Sequence, residues 1–115
     1  MKDDSFYLLH ILESIARIER YCAVGEQAFL AQELVQDAVL RNLQVLAESS
    51  QRVSQALKNR YSATDWRGLA GFRNVVVHDY LGINLARVWT IISQDLPILK
   101  AQLQLMVKEL GTDVH

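Results

Sequence analysis

The chain has 115 residues, half of them hydrophobic and 22% charged, with a formal net charge of −1, which suits one domain with a real core. So mild a balance excludes a basic coat for duplex nucleic acid and a polybasic membrane anchor, so any RNA contact has to be local. One proline and five glycines leave little punctuation for a many-stranded sheet, and the single Cys22 excludes an internal disulfide. Leu, Ala, Gln, Glu, Arg and Val dominate instead. The expected fold is all-α, an antiparallel up-and-down bundle of four main helices forming one domain over residues 1–115.

The first predicted helix runs from about Ser5 to Val24, with Leu8, Ile11, Leu12, Ile15 and Cys22 at helical spacing, and Gly25 ends it. Cys22 reads as a small buried hydrophobe. The second is expected as one rod from Phe29 to Asn59, with Val39, Leu43, Leu46, Val53 and Leu57 on its core stripe. On its opposite face Asp37 with Arg41, and Glu48 with Arg52, are spaced as i,i+4 ion pairs. The polar run from Lys58 breaks the pattern, and Thr64, followed by Asp65 and Trp66, reads as the N-cap of a short third helix. Gly68 and Gly71 weaken that helix and suggest close approach of another backbone, and the three β-branched valines Val75 to Val77 weaken it again. The last helix is expected from Asn84 to Leu110, bent at Pro97, with a seam of Leu85, Val88, Trp89, Ile92, Leu96, Leu99, Leu103, Met106 and Leu110. The N-terminus has no signal-peptide pattern, and no stretch has the roughly 18 uncharged apolar residues of a membrane helix. The expected location is cytoplasmic, with no membrane contact.

For chemistry, the sequence has no glycine-rich phosphate loop, no helical His-x-x-x-His or Glu-x-x-His pair and no cysteine cluster, so neither a metal nor a cofactor is expected. His10 has no acidic or cysteine partner at ligand spacing and His115 is the last residue of the sequence, so both read as bystanders. His78 differs, because it stands with Arg73, Asn74, Asp79 and Tyr80 in a stretch otherwise made of valines. On an ideal helix Asn74 and His78 are i,i+4 neighbours and Tyr80 nearly eclipses Arg73. Arg73 and His78, however, are about 140° and roughly 7.5 Å of rise apart. They converge if the helix unwinds before His78, or if two copies face each other across a dimer axis. The second arrangement also supplies two histidines, one to take a proton from a 2′-hydroxyl and one to protonate a leaving 5′-oxygen.

Arg73-Asn74-Val75-Val76-Val77-His78-Asp79-Tyr80 resembles the R-x4-H-x-Y motif of HEPN domains, in particular the HepT branch. Ala38-Val39-Leu40-Arg41-Asn42-Leu43 with Glu48 resembles that branch's second helix. Trp66 with Gly71-Phe72-Arg73-Asn74, and Val88-Trp89-Thr90-Ile91-Ile92 with Asp95-Leu96-Pro97-Ile98-Leu99, are similar to its later elements. Phe72 replaces a usual methionine, Ala47 a glycine, and Asn84 an aspartate. The resemblance implies a homodimer that cleaves RNA without a metal in a groove between protomers, as the toxin of a toxin–antitoxin pair. It makes Arg73 and His78 catalytic, Asn74 a supporting residue and Tyr80 the acceptor of AMP transferred by an MntA-like nucleotidyltransferase. The alternative is a non-catalytic HEPN subunit that presents substrate to a nucleotidyltransferase or scaffolds it.

Overall fold

The structure, a computed structural model, describes residues 3–77 and 84–113, without the side chains of 75–77, 112 and 113. The first helix, α1 (Asp4–Tyr21), begins one residue before the expected Ser5. Asp3, in extended backbone, is its cap and accepts the Phe6 amide at 3.1 Å. Leu8, Ile11, Ile15 and Ile18 are buried along one side of α1. A 3₁₀ turn, Cys22–Val24, then leads into Gly25, whose φ of 97° is open to glycine at no steric cost.

The rod expected from Phe29 to Asn59 is three helices: α2 (Glu26–Ala31), α3 (Glu33–Gln51) and α4 (Gln55–Arg60). The first break is Gln32, in extended backbone. Gln36 supports it from α3, its Nε2 donating to the carbonyls of Phe29 (2.9 Å) and Leu30 (3.1 Å), which the end of α2 would otherwise leave unpaired. The second break ends at Ser54, which caps α4 by accepting the Leu57 amide at 3.1 Å. Asp4 of α1 secures this corner, accepting from the Ser54 amide at 2.8 Å and its hydroxyl at 2.6 Å. Both breaks rest on polar side-chain contacts that hydrophobic spacing does not encode. The stripe itself is as expected, with Val39, Leu43, Leu46, Val53 and Leu57 all buried. Among the described residues neither Asp37 with Arg41 nor Glu48 with Arg52 forms the expected ion pair, and Glu48 accepts from Gln44 at 3.3 Å instead.

Helix α5 (Trp66–Val77) is capped by Asp65, not Thr64. The Asp65 carboxylate accepts the Gly68 amide at 2.8 Å, while Thr64 is buried. A Cβ on Gly68 would collide with that carboxylate, so this glycine accommodates the cap rather than another backbone. Among the described residues nothing lies within 4 Å of a Cβ built on Gly71, so none of them makes the close approach expected there. The helix runs through all three valines despite the weak helix propensity of β-branched residues.

After Asn84, which caps it by accepting the Arg87 amide at 3.1 Å, α6 (Leu85–Thr90) passes through a π turn, Ile91–Asp95, into α7 (Leu96–Asp113). Pro97 has no N–H to offer the preceding turn, and a wide turn just ahead of it absorbs that loss within one bent helical run. Burial steps through Val88, Ile91, Leu96, Leu99, Leu103 and Met106. The interval of five between Ile91 and Leu96 would leave the core face of an α-helix, and the π turn restores the phase. Ile91 thus takes the core position expected of Ile92, which is only half-buried.

Three contacts fix how these pieces alternate. Asp4 holds Ser54, the Phe29 and Trp89 rings lie 5.4 Å apart, and the Tyr61 hydroxyl donates to Glu109 at 2.7 Å. One end of the bundle therefore gathers the start of α1, the end of α3, the start of α5 and the end of α7. The other gathers α2, the start of α3, the end of α5 and the start of α6. This is the expected all-α, up-and-down, HEPN-like bundle, its four main helices being α1, α3, α5 and the α6–α7 run. The small buried residues Ser14, Ala47 and Ser50 sit on α1 and α3, which pack together extensively. Among the described residues no helix is long and apolar enough to cross a membrane.

Candidate functional site

Leu69 and Phe72, both buried, set the rotation of α5. At 100° per residue, the two positions after Phe72 swing away from the core, and Arg73 and Asn74 are accordingly exposed, one turn before the helix ends. His78, Asp79 and Tyr80 lie outside the described residues. Because α5 is helical through Val77, no unwinding separates Arg73 from the residue just before His78. Of the two routes by which Arg73 and His78 could converge, early unwinding within this segment is absent.

The start of α5 is braced from below. Trp66 Nε1 donates to the Tyr61 carbonyl at 3.1 Å, and the Lys58 ammonium lies 6.0 Å from the Trp66 ring centroid. Alongside α5 runs a cleft of about 370 Å³. Leu69, Phe72 and Leu99 give it an apolar floor, Gly68 and Gly71 open one wall, and Arg87, Asp65 and Asp95 bring charge to it. Ile98, on its lining, is 64% exposed, and Leu105, seven residues further along α7, is 53% exposed. This strip of α7 offers apolar knobs next to a hollow. Sequence reasoning passed over Arg87, since an arginine between Leu85 and Val88 reads as ordinary solvated surface. Only its place on the cleft singles it out.

The remaining candidates lie elsewhere. His10 is exposed on α1, stacked on Phe6 with ring centroids 5.7 Å apart, and its Nδ1 is 3.5 Å from the Ser49 hydroxyl. Cys22 is half-buried, and burial pushes its thiol up to about 11, as befits a small hydrophobe more than a nucleophile. His115 lies outside the described residues. Among the described residues, no three His, Cys, Asp or Glu side chains gather at metal-holding distance.

Comparison with known proteins matches residues 11–106 to the family described as Ribonuclease HepT-like. That span includes the whole segment from Arg73 to Tyr80. A protein of Methanocaldococcus jannaschii, named a gamma-glutamylcyclotransferase and, provisionally, an RNase, is 32% identical over 110 residues, covering 95% of this chain and 50% of that protein. The chain thus spans half the length of that relative. The probable ribonuclease HepT of Thermococcus cleftensis is 29% identical over 103 residues, covering 89% of this chain and 94% of its own. A provisionally named RNase of Caldanaerobacter subterraneus subsp. tengcongensis is 28% identical over 105 residues, covering 90% and 94%. No solved structure matches. With an all-helical bundle, an exposed Arg73 near the end of α5 and a family match across most of the chain, the protein belongs to the Ribonuclease HepT-like family of the HEPN superfamily.

Proposed function

We propose that this protein is a metal-independent endoribonuclease, the toxin of a toxin–antitoxin pair in the cytoplasm, working as a two-fold homodimer. The observation that carries the reading is the family match over residues 11–106 on a helix that exposes Arg73 to solvent just ahead of His78. The HepT-like relatives named as ribonucleases support the same activity.

A 2′-hydroxyl of RNA attacks the adjacent phosphorus while one His78 takes its proton. The bond to the 5′-oxygen breaks, and the His78 of the second protomer gives that oxygen a proton. The products are a 2′,3′-cyclic phosphate and a 5′-hydroxyl. Two Arg73 guanidinium groups stabilise the charge that builds on the phosphate. Asn74, four residues before His78 in sequence, supports the histidine. The regular course of α5 to Val77 favours pairing across a dimer axis, and the open surface at Gly71 and the exposed Ile98 and Leu105 supply a face for it.

The partner on this reading is an MntA-like nucleotidyltransferase. The Tyr80 hydroxyl attacks the α-phosphorus of ATP, pyrophosphate leaves, and AMP remains on the tyrosine oxygen. The added charge and bulk beside Arg73 and His78 then keep RNA out.

Arg73→Ala and His78→Ala should each fold normally and cleave RNA about 10²-fold more slowly or worse, on ordinary acid–base and electrostatic magnitudes. Chelator should change nothing. Co-expression with an MntA-like nucleotidyltransferase should add AMP to the peptide containing Tyr80, read by mass spectrometry, and Tyr80→Phe should abolish the addition. Cleavage that survives His78→Ala, or stops with EDTA, overturns the mechanism.

A further inference from the structure

The cleft beside α5 carries an arginine and an aspartate that no described residue neutralises. Arg87 and Asp95 both line it, both are exposed, and neither enters an ion pair among the described residues. Asp65, the other carboxylate on the lining, already accepts the Gly68 amide. The π turn sets how the two free charges stand. Arg87 and Asp95 each come one residue before a core position, Val88 and Leu96. The wide turn that keeps those two in phase therefore puts Arg87 and Asp95 on one flank of the α6–α7 run, roughly 11 Å apart along its axis. Beside them lies the apolar floor of Leu69, Phe72 and Leu99. On the α5 wall Gly71 offers no side chain, and none of the described residues comes within 4 Å of where its Cβ would stand.

We propose that this cleft is a nucleotide subsite for the RNA substrate, with Arg87 on a phosphate and Asp95 on the base, and that it favours guanine. The proposal deepens the ribonuclease reading above and rests on it. Charge selects the ligand. A plain anion is repelled by Asp95, and a plain cation by Arg87. A nucleotide has a phosphate at one end and, in guanine, two adjacent N–H donors at the other, placed to meet both oxygens of a carboxylate. Uracil offers one N–H between two carbonyls, and those carbonyls repel a carboxylate. The flat base rests on the apolar floor and passes over Gly71, where a side chain would obstruct it. A volume of about 370 Å³ falls in the range of small-molecule sites, roughly 300–1,000 Å³.

Position fits as well. Phe72, on the floor, immediately precedes Arg73, so their Cα atoms are about 3.8 Å apart. Because α5 and the α6–α7 run are antiparallel, Arg87 and Asp95 border the half of the cleft towards Arg73. Ile98 and Gln102 border the half towards the start of α5. A second copy resting on Ile98 and Leu105 leaves the Arg87 half to the RNA strand.

The test uses the full chain and RNA oligonucleotides that differ only in the nucleotides flanking one cleaved bond. The wild type should prefer guanosine at one fixed distance from the cut. Uridine there should lower kcat/KM by about tenfold or more, and inosine, which lacks the second amino donor, should fall between them. Asp95→Asn should cut the guanosine and uridine substrates at nearly equal rates, and Gly71→Leu should lose the preference too. Arg87→Ala should raise KM about tenfold for every sequence, keep kcat near the wild type and lower the salt slope of binding by about one. Both Arg87→Ala and Asp95→Asn should keep the wild-type mass in light scattering. A wild type indifferent to the base at every position, or a preference that Asp95→Asn leaves unchanged, overturns the subsite while leaving the nuclease standing. A wild type that cuts none of the RNAs overturns the ribonuclease reading, and this subsite with it. A monomeric mass in either variant assigns the two charges to the second copy and overturns the proposal as well.

Discussion

Phe72 decides where Arg73 points. Only 8% exposed, it fills the core position where the resemblance expects a methionine, and a rigid ring there leaves α5 little freedom to roll. On the proposed mechanism the planar guanidinium fork, more than charge alone, matters at Arg73. Arg73→Lys keeps the charge but loses two-pronged contact with a phosphate, so it should still cleave RNA at least tenfold more slowly, measured with a single defined oligonucleotide. Cys22 offers a test with a pH axis. Burial raises its thiol from the ordinary 9.0 to about 11, so below pH 9 both folded and unfolded chains keep the proton and stability does not depend on it. As pH climbs from 9 towards 11 the unfolded chain gives up its proton first, and stability should fall. Denaturant titrations at pH 8 and pH 10 should show the loss, and Cys22→Ala should show less of it. Iodoacetamide at pH 8 should label the native protein at least tenfold more slowly than the unfolded chain.

The two glycines of α5 separate cap from helix. Gly68→Ala gains about 1 kcal/mol of helix propensity but pushes the Asp65 carboxylate off the amide it caps, an interaction worth about as much. Gly71→Ala gains the propensity with none of the described residues in the way. In dilute, monomeric protein, thermal melts should show Gly71→Ala raising Tm by about 4 °C and Gly68→Ala leaving it level or lower. Element type and core stripe were legible because apolar periodicity reports burial directly: Val39, Leu43, Leu46, Val53 and Leu57 behave as their spacing implies. The breaks at Gln32 and Ser54 were not legible. Each depends on a side chain distant in sequence or lying across a bend, Gln36 in one case and Asp4 in the other. Asp65 lost its place to Thr64 for a related reason, since both residues can cap and only the Gly68 amide shows which one does.

At the scale of the molecule, the strip on α7 and the cleft beside α5 form the face on which the proposed dimer depends. Ile98→Glu and Leu105→Glu together should hold the chain at 13.1 kDa in light scattering, where the wild type should give twice that mass. Cleavage should vanish with the dimer even though neither residue belongs to the motif. The motif segment was recognisable in sequence because Arg73, Asn74, His78 and Tyr80 interrupt a run of valines. Arg87 and the cleft were not, because a hollow between two helices has no linear pattern. The π turn has one more consequence, for chain length. It holds one residue more than an α turn would need between Ile91 and Leu96, so deleting a single residue there would let the run close into unbroken α-helix. The local hydrogen bonds would survive, yet everything upstream would turn by about 100° and shift about 1.5 Å relative to α7. Val88 would leave the core, and Arg87 would turn away from the cleft. The molecule therefore tolerates an odd spacing at this point and no other count, which makes a one-residue deletion here a more severe lesion than most substitutions on the surface.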